Sequence, residues 1–323
     1  MADDGDGIFV YLGGEQEVPD EITHAIIDPS VNIVRRRAFA DRRQLISVIF
    51  HDGVEIVEYE AFQYCESLSG KIKLLGVREI EYSAFEDCIA LSDVEFGDRL
   101  ETIGSEAFCN CPLRQVKMPS VRTVRNGSFS FCCDLTDVEF GINLETISFR
   151  SFYNCPNLRR IAIPLKDGIF RFDTARQRYN QFSNCVNLTT VDIVGAEGMY
   201  KTISSLLLES WRDEMNQEIN RINRELPDTS RFDKANAIQR WIRSVISGMD
   251  HYKTEHNRLL EEHMTQLELA VWKAKLDEKE DDSTLKVEAK RVKIDVLSMR
   301  KEKRITSGAD TIIKNVLPFL KLA

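Results

Sequence analysis

Cysteine and histidine are the residues of this 323-residue chain whose side chains could hold a metal or attack a substrate, and the chain has 8 of one and 5 of the other. Cys109-Asn110-Cys111 and the adjacent pair Cys132-Cys133 bring thiols close enough in sequence to suggest zinc. A tetrahedral zinc site needs four ligands, usually as paired C-x-x-C knuckles or as cysteines completed by histidine. No C-x-x-C occurs, and no histidine stands between His51 and His251. The spacing therefore argues against a metal. His256 and His263 lie seven apart and share a helical face, whereas paired ligands sit four apart with an acid nearby, so a capping or solvated role fits them better. The chain also lacks a phosphate-cradling G-x-x-x-x-G-K-[ST] or G-x-G-x-x-G, an esterase G-x-S-x-G and a zincin H-E-x-x-H. The expectation is a protein that is not an enzyme, with no catalytic residues, no cofactor and no metal.

The interval between the cysteines carries more than their chemistry. Cys65, Cys88, Cys111, Cys132, Cys155 and Cys185 each follow a phenylalanine by three residues, at Phe62, Phe85, Phe108, Phe129, Phe152 and Phe182, and Phe39 has Arg42 at the same offset. A leucine closes each group at Leu45, Leu68, Leu91, Leu113, Leu135, Leu158 and Leu188, and ITHAII from Ile22 aligns with LISVIF from Leu45. The steps between these leading positions are 23, 23, 23, 22, 22, 23 and 30. Self-similarity at 20 to 29 residues is the signature of leucine-rich repeats, whose units bury a continuous core only by stacking. Each unit reads as a strand (LSDVEF), a turn (GDR), a second extended piece (LETI) and a tight helical or irregular turn carrying Ala-Phe.

The order I-x-x-I-x-x-x-A-F-x-x-C-x-x-L resembles the BspA-type leucine-rich repeat over about residues 22–194. The resemblance implies a right-handed solenoid that binds proteins or surfaces and carries no catalytic residues; members are often bacterial surface adhesins. The helical tail resembles those that follow such repeats in microalgal proteins. Departures from the pattern are Ser128 and Ser151 in place of alanine, Gln181 in the last unit, and an insertion of about seven within 164–180.

Stacking places equivalent residues in columns about 4.8 Å apart. The phenylalanines form an aromatic spine, and cysteine, small and a weak donor to carbonyls, fills the next column. Parallel stacked side chains cannot reach disulfide geometry, so the thiols stay reduced. Alternation turns Leu91, Val94 and Phe96 inward and Ser92, Asp93 and Glu95 outward. Outward positions across successive strands give one row of Glu95, Lys117 and Glu139 and another of Asp93, Gln115, Asp137 and Arg160, with Arg114 and Arg159 nearby. These nine residues are the candidate partner-binding set: alternating signs suit a protein with mixed charges and offer a polyanion no continuous positive stripe. At the N-terminal end Ile26, Ile46 and Ile49 face outward and need a cover, for which Ile8-Phe9-Val10-Tyr11 is available as a strand-like cap.

After Gly195 the apolar spacing becomes helical. Ile203, Leu207, Trp211, Met215, Ile219, Ile222 and Leu226 make one stripe, and Ile238, Ile242, Val245, Met249, Leu260, Met264, Leu267 and Val271 a second. Helices over about 198–226 and 231–278 follow, the first set against the last repeat or the second helix. A third segment, near 284–305, contains a basic run from Lys286 to Arg304 with a local net charge of +5, read as a solvated helix face. The fold class is α+β: a leucine-rich-repeat solenoid of about eight repeats followed by an all-α hairpin or bundle. The domains are an acidic N-terminal segment and edge cap at 1–21, the solenoid at 22–195 and a helical C-terminal domain at 196–323.

Charge sets the remaining expectations. A net charge of -9 disfavours nucleic acid as a partner. Six acidic residues and no Lys or Arg through Asp20 are the reverse of a secretory leader, and no apolar run reaches membrane-spanning length. A cytoplasmic setting follows, with nuclear access left open. The function expected is a protein-interaction scaffold with an unknown protein partner and a monomeric state; the alternative is a self-assembling structural or adhesion protein that associates through the tail, as a homodimer, or through the solenoid edge.

Overall fold

The computed structural model of the chain describes residues 8–171, 180–195 and 205–280. The first extended piece of every unit is a strand: β2 (His24–Ile27), β4 (Ser47–Ile49), β6 (Lys71–Leu74), β8 (Asp93–Phe96), β10 (Gln115–Met118), β12 (Asp137–Phe140), β14 (Arg160–Pro164) and β15 (Thr190–Val194). Between them run two-residue strands β3 (Ile33–Val34), β5 (Ile56–Val57), β7 (Glu79–Ile80), β9 (Thr102–Ile103), β11 (Thr123–Val124) and β13 (Thr146–Ile147). Ahead of all of these lies β1 (Ile8–Tyr11). Every ladder is parallel, because each unit re-enters the stack in the direction of the last. The eight repeats expected from the period are all present as strands.

The short strands pair continuously from β3 to β13, but the long ones fall into three groups: β1-β2-β4, β6-β8 and β10-β12-β14-β15. Leu45 precedes its inward partner Val48 by three residues, while Leu68 precedes Ile72 by four, and Gly70 absorbs the extra residue with φ 77°. Beyond this extra residue β6 pairs with β8 over all four positions.

Inside, the two columns form as the pattern requires. The rings of Phe39, Phe62, Phe85, Phe108, Phe129, Phe152 and Phe182 stack at centroid spacings of 4.8, 5.0, 5.1, 5.5, 5.4 and 5.7 Å, all within 17° of parallel. Each column thiol donates to the carbonyl of the preceding unit's phenylalanine, from Cys65 to Phe39 at 3.1 Å through Cys185 to Phe152 at 3.0 Å. Most of these carbonyls also accept the N–H three residues on, as Phe62 does from Cys65 and Phe85 from Cys88, so the thiol supplies a second, weak donor along with apolar volume that fits the column. The substitutes also donate to carbonyls, although the Gln181 Oε1 is buried without a partner among the described residues. Ser128 donates to Gly104 and Arg125 carbonyls, Ser151 to those of Arg125 and Ser148, and Gln181 to those of Ile147 and Arg171.

The Ala-Phe segment is an irregular turn rather than a helical one. It carries its own ladder, from Phe39 N–H to Ala61 carbonyl at 2.8 Å through Phe152 N–H to Gln181 carbonyl at 3.0 Å. Residues two before and two after the spine phenylalanine take left-handed backbone angles, as at Arg37 and Asp41, Glu60 and Tyr64, and Ser83 and Asp87. Only one such position is glycine, Gly127, and the others are signalled in part by Asp41, Asp87, Asn110, Asn154 and Asn184, residue types that tolerate this geometry.

At the C-terminal end two helices follow, α1 (Ser205–Glu225) and α2 (Lys234–Glu280), the latter continuous through Ser247 and Gly248. Residues to Asn257 form one compact unit, which includes α1 and the first half of α2, and those from Arg258 form another. In the first unit Met215, Ile222, Leu226, Ile238, Trp241, Ile242, Val245 and Met249 are buried in the same core as the repeats. In the second, Leu260, Leu267 and Val271 of the expected stripe are exposed. Ile203, the basic run from Lys286 to Arg304 and the segment near 284–305 lie outside the described residues, as do the side chains of Leu207 and Trp211.

Candidate binding face

The strand alternation delivers two outward rows. Register puts Lys71 opposite Asp93 and Lys73 opposite Glu95, then Gln115 opposite Asp137, Asp137 opposite Arg160, and Lys117 opposite Glu139. The Arg114 N–H donates to Ser92 and the Arg159 N–H to Thr136, so these arginines sit one residue before the strands proper, on either side of Thr136. Seven of the nine expected residues therefore occupy the outward positions of β8, β10, β12 and β14, and Arg114 and Arg159 stand exposed one residue before β10 and β14.

The face is partly neutralised within the chain. Lys71 reaches Glu95 at 3.1 Å and Asp93 at 3.9 Å, Lys117 reaches Glu139 at 3.7 Å, and Arg160 bridges Glu139 at 3.9 Å and Asp192 at 2.5 Å. The Glu95 carboxylate, and then Asp93, hold the Lys71 ammonium above its ordinary pKa. Exposed pairs of this kind contribute about 0.2–1 kcal/mol each, so a partner can exchange them at little cost. Arg114, Arg159 and Gln115 differ: they are exposed, and among the described residues none of their side chains is held by an ion pair or hydrogen bond.

Lys71 and Asp192 were missing from the expected set. The same register reaches both, but the extra residue after Leu68 and the insertion before Leu188 hide them from a fixed period. A second charged ladder also went unnoticed. Glu55, Arg78, Glu101, Arg122 and Glu145 follow one another before the short strands, with ion pairs from Arg78 to Glu101 at 3.5 Å and from Arg122 to Glu145 at 2.5 Å. They line a shallow polar groove of about 730 Å³.

The buried thiols are not poised as nucleophiles. Burial pushes the Cys65 thiol up to about 12 and raises those of Cys88, Cys111, Cys132 and Cys155, which holds them protonated and unreactive. Cys109 is raised to about 12 by burial and then by Glu86 and Glu106. All eight cysteines are free. Among the described residues no group of His, Cys, Asp or Glu could hold a metal ion, and no helix is long and apolar enough to cross a membrane.

Comparison with known proteins places these features in a family. The model of the BspA type leucine rich repeat region matches six copies over residues 19–69 and 70–189. No curated protein matches the chain. Among solved structures, the leucine rich repeat protein of T. pallidum is 22% identical over 57% of this chain and 73% of its own, with a TM-score of 0.38. A leucine-rich repeat protein from Bacteroides ovatus is 19% identical over 54% and 55%, with a TM-score of 0.32. The pneumococcal vaccine antigen PcpA is 17% identical over 58% and 66%, with a TM-score of 0.33.

Proposed function

Because the chain belongs to the BspA-type leucine-rich repeat family, whose repeats serve protein interaction and adhesion, we propose that it is a non-enzymatic binding scaffold that holds a protein partner on the outward face of β8, β10, β12 and β14. The observation that carries this reading is the contrast along those strands. Their inward residues are fully buried, while Arg114, Gln115 and Arg159 stand exposed beside ion pairs that a partner can replace. The two arginines flank Thr136 at two strand spacings, about 10 Å, and would engage carboxylates on a partner of mixed charge. A cytoplasmic setting belongs to the same proposal, supported by a core that uses its cysteines as thiol donors to carbonyls.

A photo-crosslinking side chain at Gln115, in protein exposed to lysate of the native cell, tests the face. The expected result is a discrete adduct that disappears in the Arg114→Glu/Arg159→Glu double variant and is absent when the crosslinker stands at Asn143, on the polar groove. Equal labelling from both positions would defeat the assignment. Thiol titration checks the cysteine column: freshly isolated protein, denatured without reductant, should yield all eight cysteines as thiols.

A further inference from the structure

The N-terminal end of the sheet carries a second outward surface, and its character is apolar. Val10, Ile26 and Ile49 are in register across β1, β2 and β4, forming one row. Around it Ile8 is 47% exposed, Val10 44%, Leu12 61%, Ile46 43% and Ile49 59%. The cap expected from Ile8–Tyr11 is in place as β1, with Tyr11 buried against Phe39 at a ring spacing of 5.2 Å. It closes the end of the core, yet leaves this row open to solvent and creates a new edge.

That edge has a specific polarity. The Asp28 N–H donates to the Tyr11 carbonyl, so residues 9 and 11 turn their backbone groups toward β2, and residues 8, 10 and 12 turn theirs away from it. Part of this outer row is occupied by a side chain. Gln16 Nε2 donates to the Val10 carbonyl at 3.2 Å, and Gln16 Oε1 accepts from the Leu12 N–H at 2.6 Å. A carboxamide thus makes the two bonds that a peptide group of a neighbouring strand would make. The Ile8 carbonyl and Val10 N–H, next along the row, have no protein partner among the described residues.

We propose that β1 is a strand-acceptor edge, for which Gln16 is the placeholder, and that it takes an extended segment of another protein with apolar residues at alternate positions. Backbone bonds to residues 8, 10 and 12 supply the pairing, and the exposed side chains of Ile8, Val10 and Leu12 on β1 lie beside the alternate side chains of the added strand. Area decides against a second copy as the occupant. Five side chains about half exposed offer on the order of 300 Å² of apolar surface, whereas a stable interface needs about 800 Å² per partner. A single added strand needs far less, because its backbone bonds contribute directly. The inference deepens the protein-interaction reading by adding a site and the chemistry of its ligand. It touches none of the residues of β10, β12 or β14, so either site can fail alone.

The test uses the full chain and a fluorescent peptide that alternates threonine with valine between terminal lysines. Anisotropy should show saturable binding, lost when the central valine is replaced by proline, which cannot pair. Gln16→Ala should tighten binding by about threefold, since it removes the internal competitor. Ile8→Thr/Val10→Thr should weaken it by about tenfold, and circular dichroism should show both variants folded. Equal affinity for the proline peptide, or no change in Gln16→Ala, would overturn the proposal. So would a mass that doubles with concentration in the full chain and returns to monomer in Ile26→Thr/Ile49→Thr, because the occupant would then be a second copy.

Discussion

The two ends of the solenoid are closed by opposite means. At the N-terminal end the missing unit is replaced by backbone: β1 extends the sheet, and Arg42, standing where every later unit has cysteine, reaches out to the Val18 and Ala40 carbonyls. At the C-terminal end it is replaced by side chains. Asn223 accepts from the Val191 N–H at 2.8 Å, Asn180 donates to the Phe232 carbonyl, and the buried Lys234 ammonium donates to the Leu188 and Val186 carbonyls at 2.6 and 3.3 Å. The Asn184 N–H finds the Arg231 carbonyl, as if residue 231 began another turn. The first device continues the pattern and can be continued further. The second terminates it, because a helix offers no new edge.

The strongest way to break this comparison is to remove one end. A chain cut after residue 196 loses both helices and exposes the last strand and its apolar neighbours, so it should aggregate. Light-scattering mass with circular dichroism decides, and a folded monomeric fragment would show that the helices close nothing. Phe108→Ala, in the middle of the spine, should lower stability by about 3–5 kcal/mol in urea denaturation through the cavity it leaves. Tyr11→Ala, at the end and stacked on one side only, should cost about half as much. Equal costs would mean that the terminal unit is coupled as tightly as the centre.

Lys234→Met should cost about 1–3 kcal/mol, because two buried carbonyls lose their donor. The same variant sharpens the contrast through pH. Burial holds the Lys234 pKa in the folded protein below its ordinary value, so between the two values the unfolded chain binds more protons. Stability should therefore rise as pH increases toward the ordinary lysine value, and fall as pH drops through the folded one. The variant should lack that slope in denaturation series across alkaline pH. The smallest effect expected lies between the ends. Tyr64 holds φ 59°, where neighbouring units place Asp87, Asn110 and Asn154. Tyr64→Asn should raise stability by about 0.5–1 kcal/mol, measured as a higher Tm.

The middle of the molecule was legible because its physics is periodic. A phenylalanine every 21 to 23 residues can only stack, and a cysteine at constant offset meets the same carbonyl each time, so Phe62 and Cys65 predict Phe152 and Cys155. The outward rows followed from alternation along β8, β10, β12 and β14. The ends were opaque for the converse reason. Gln16 and Lys234 act once each, through contacts fixed by tertiary approach, and neither belongs to a column. The left-handed turn positions were half hidden, since Asp87, Asn110 and Asn154 suit them but Tyr64, Glu60 and Arg37 occupy places where glycine or asparagine would have announced them.

The spacing of the aromatic rings has a consequence for the core they fill. The first ring pair lies at 4.8 Å, but the pairs beyond Phe108 open to between 5.4 and 5.7 Å. The backbone beside them does not open, since the N–H groups of Phe39, Phe85 and Phe129 each meet the next unit's carbonyl at 2.8 Å. The later rings are therefore displaced sideways over one another at constant unit spacing. Evenly stacked units are held by the backbone, and the rings have room to slide within them.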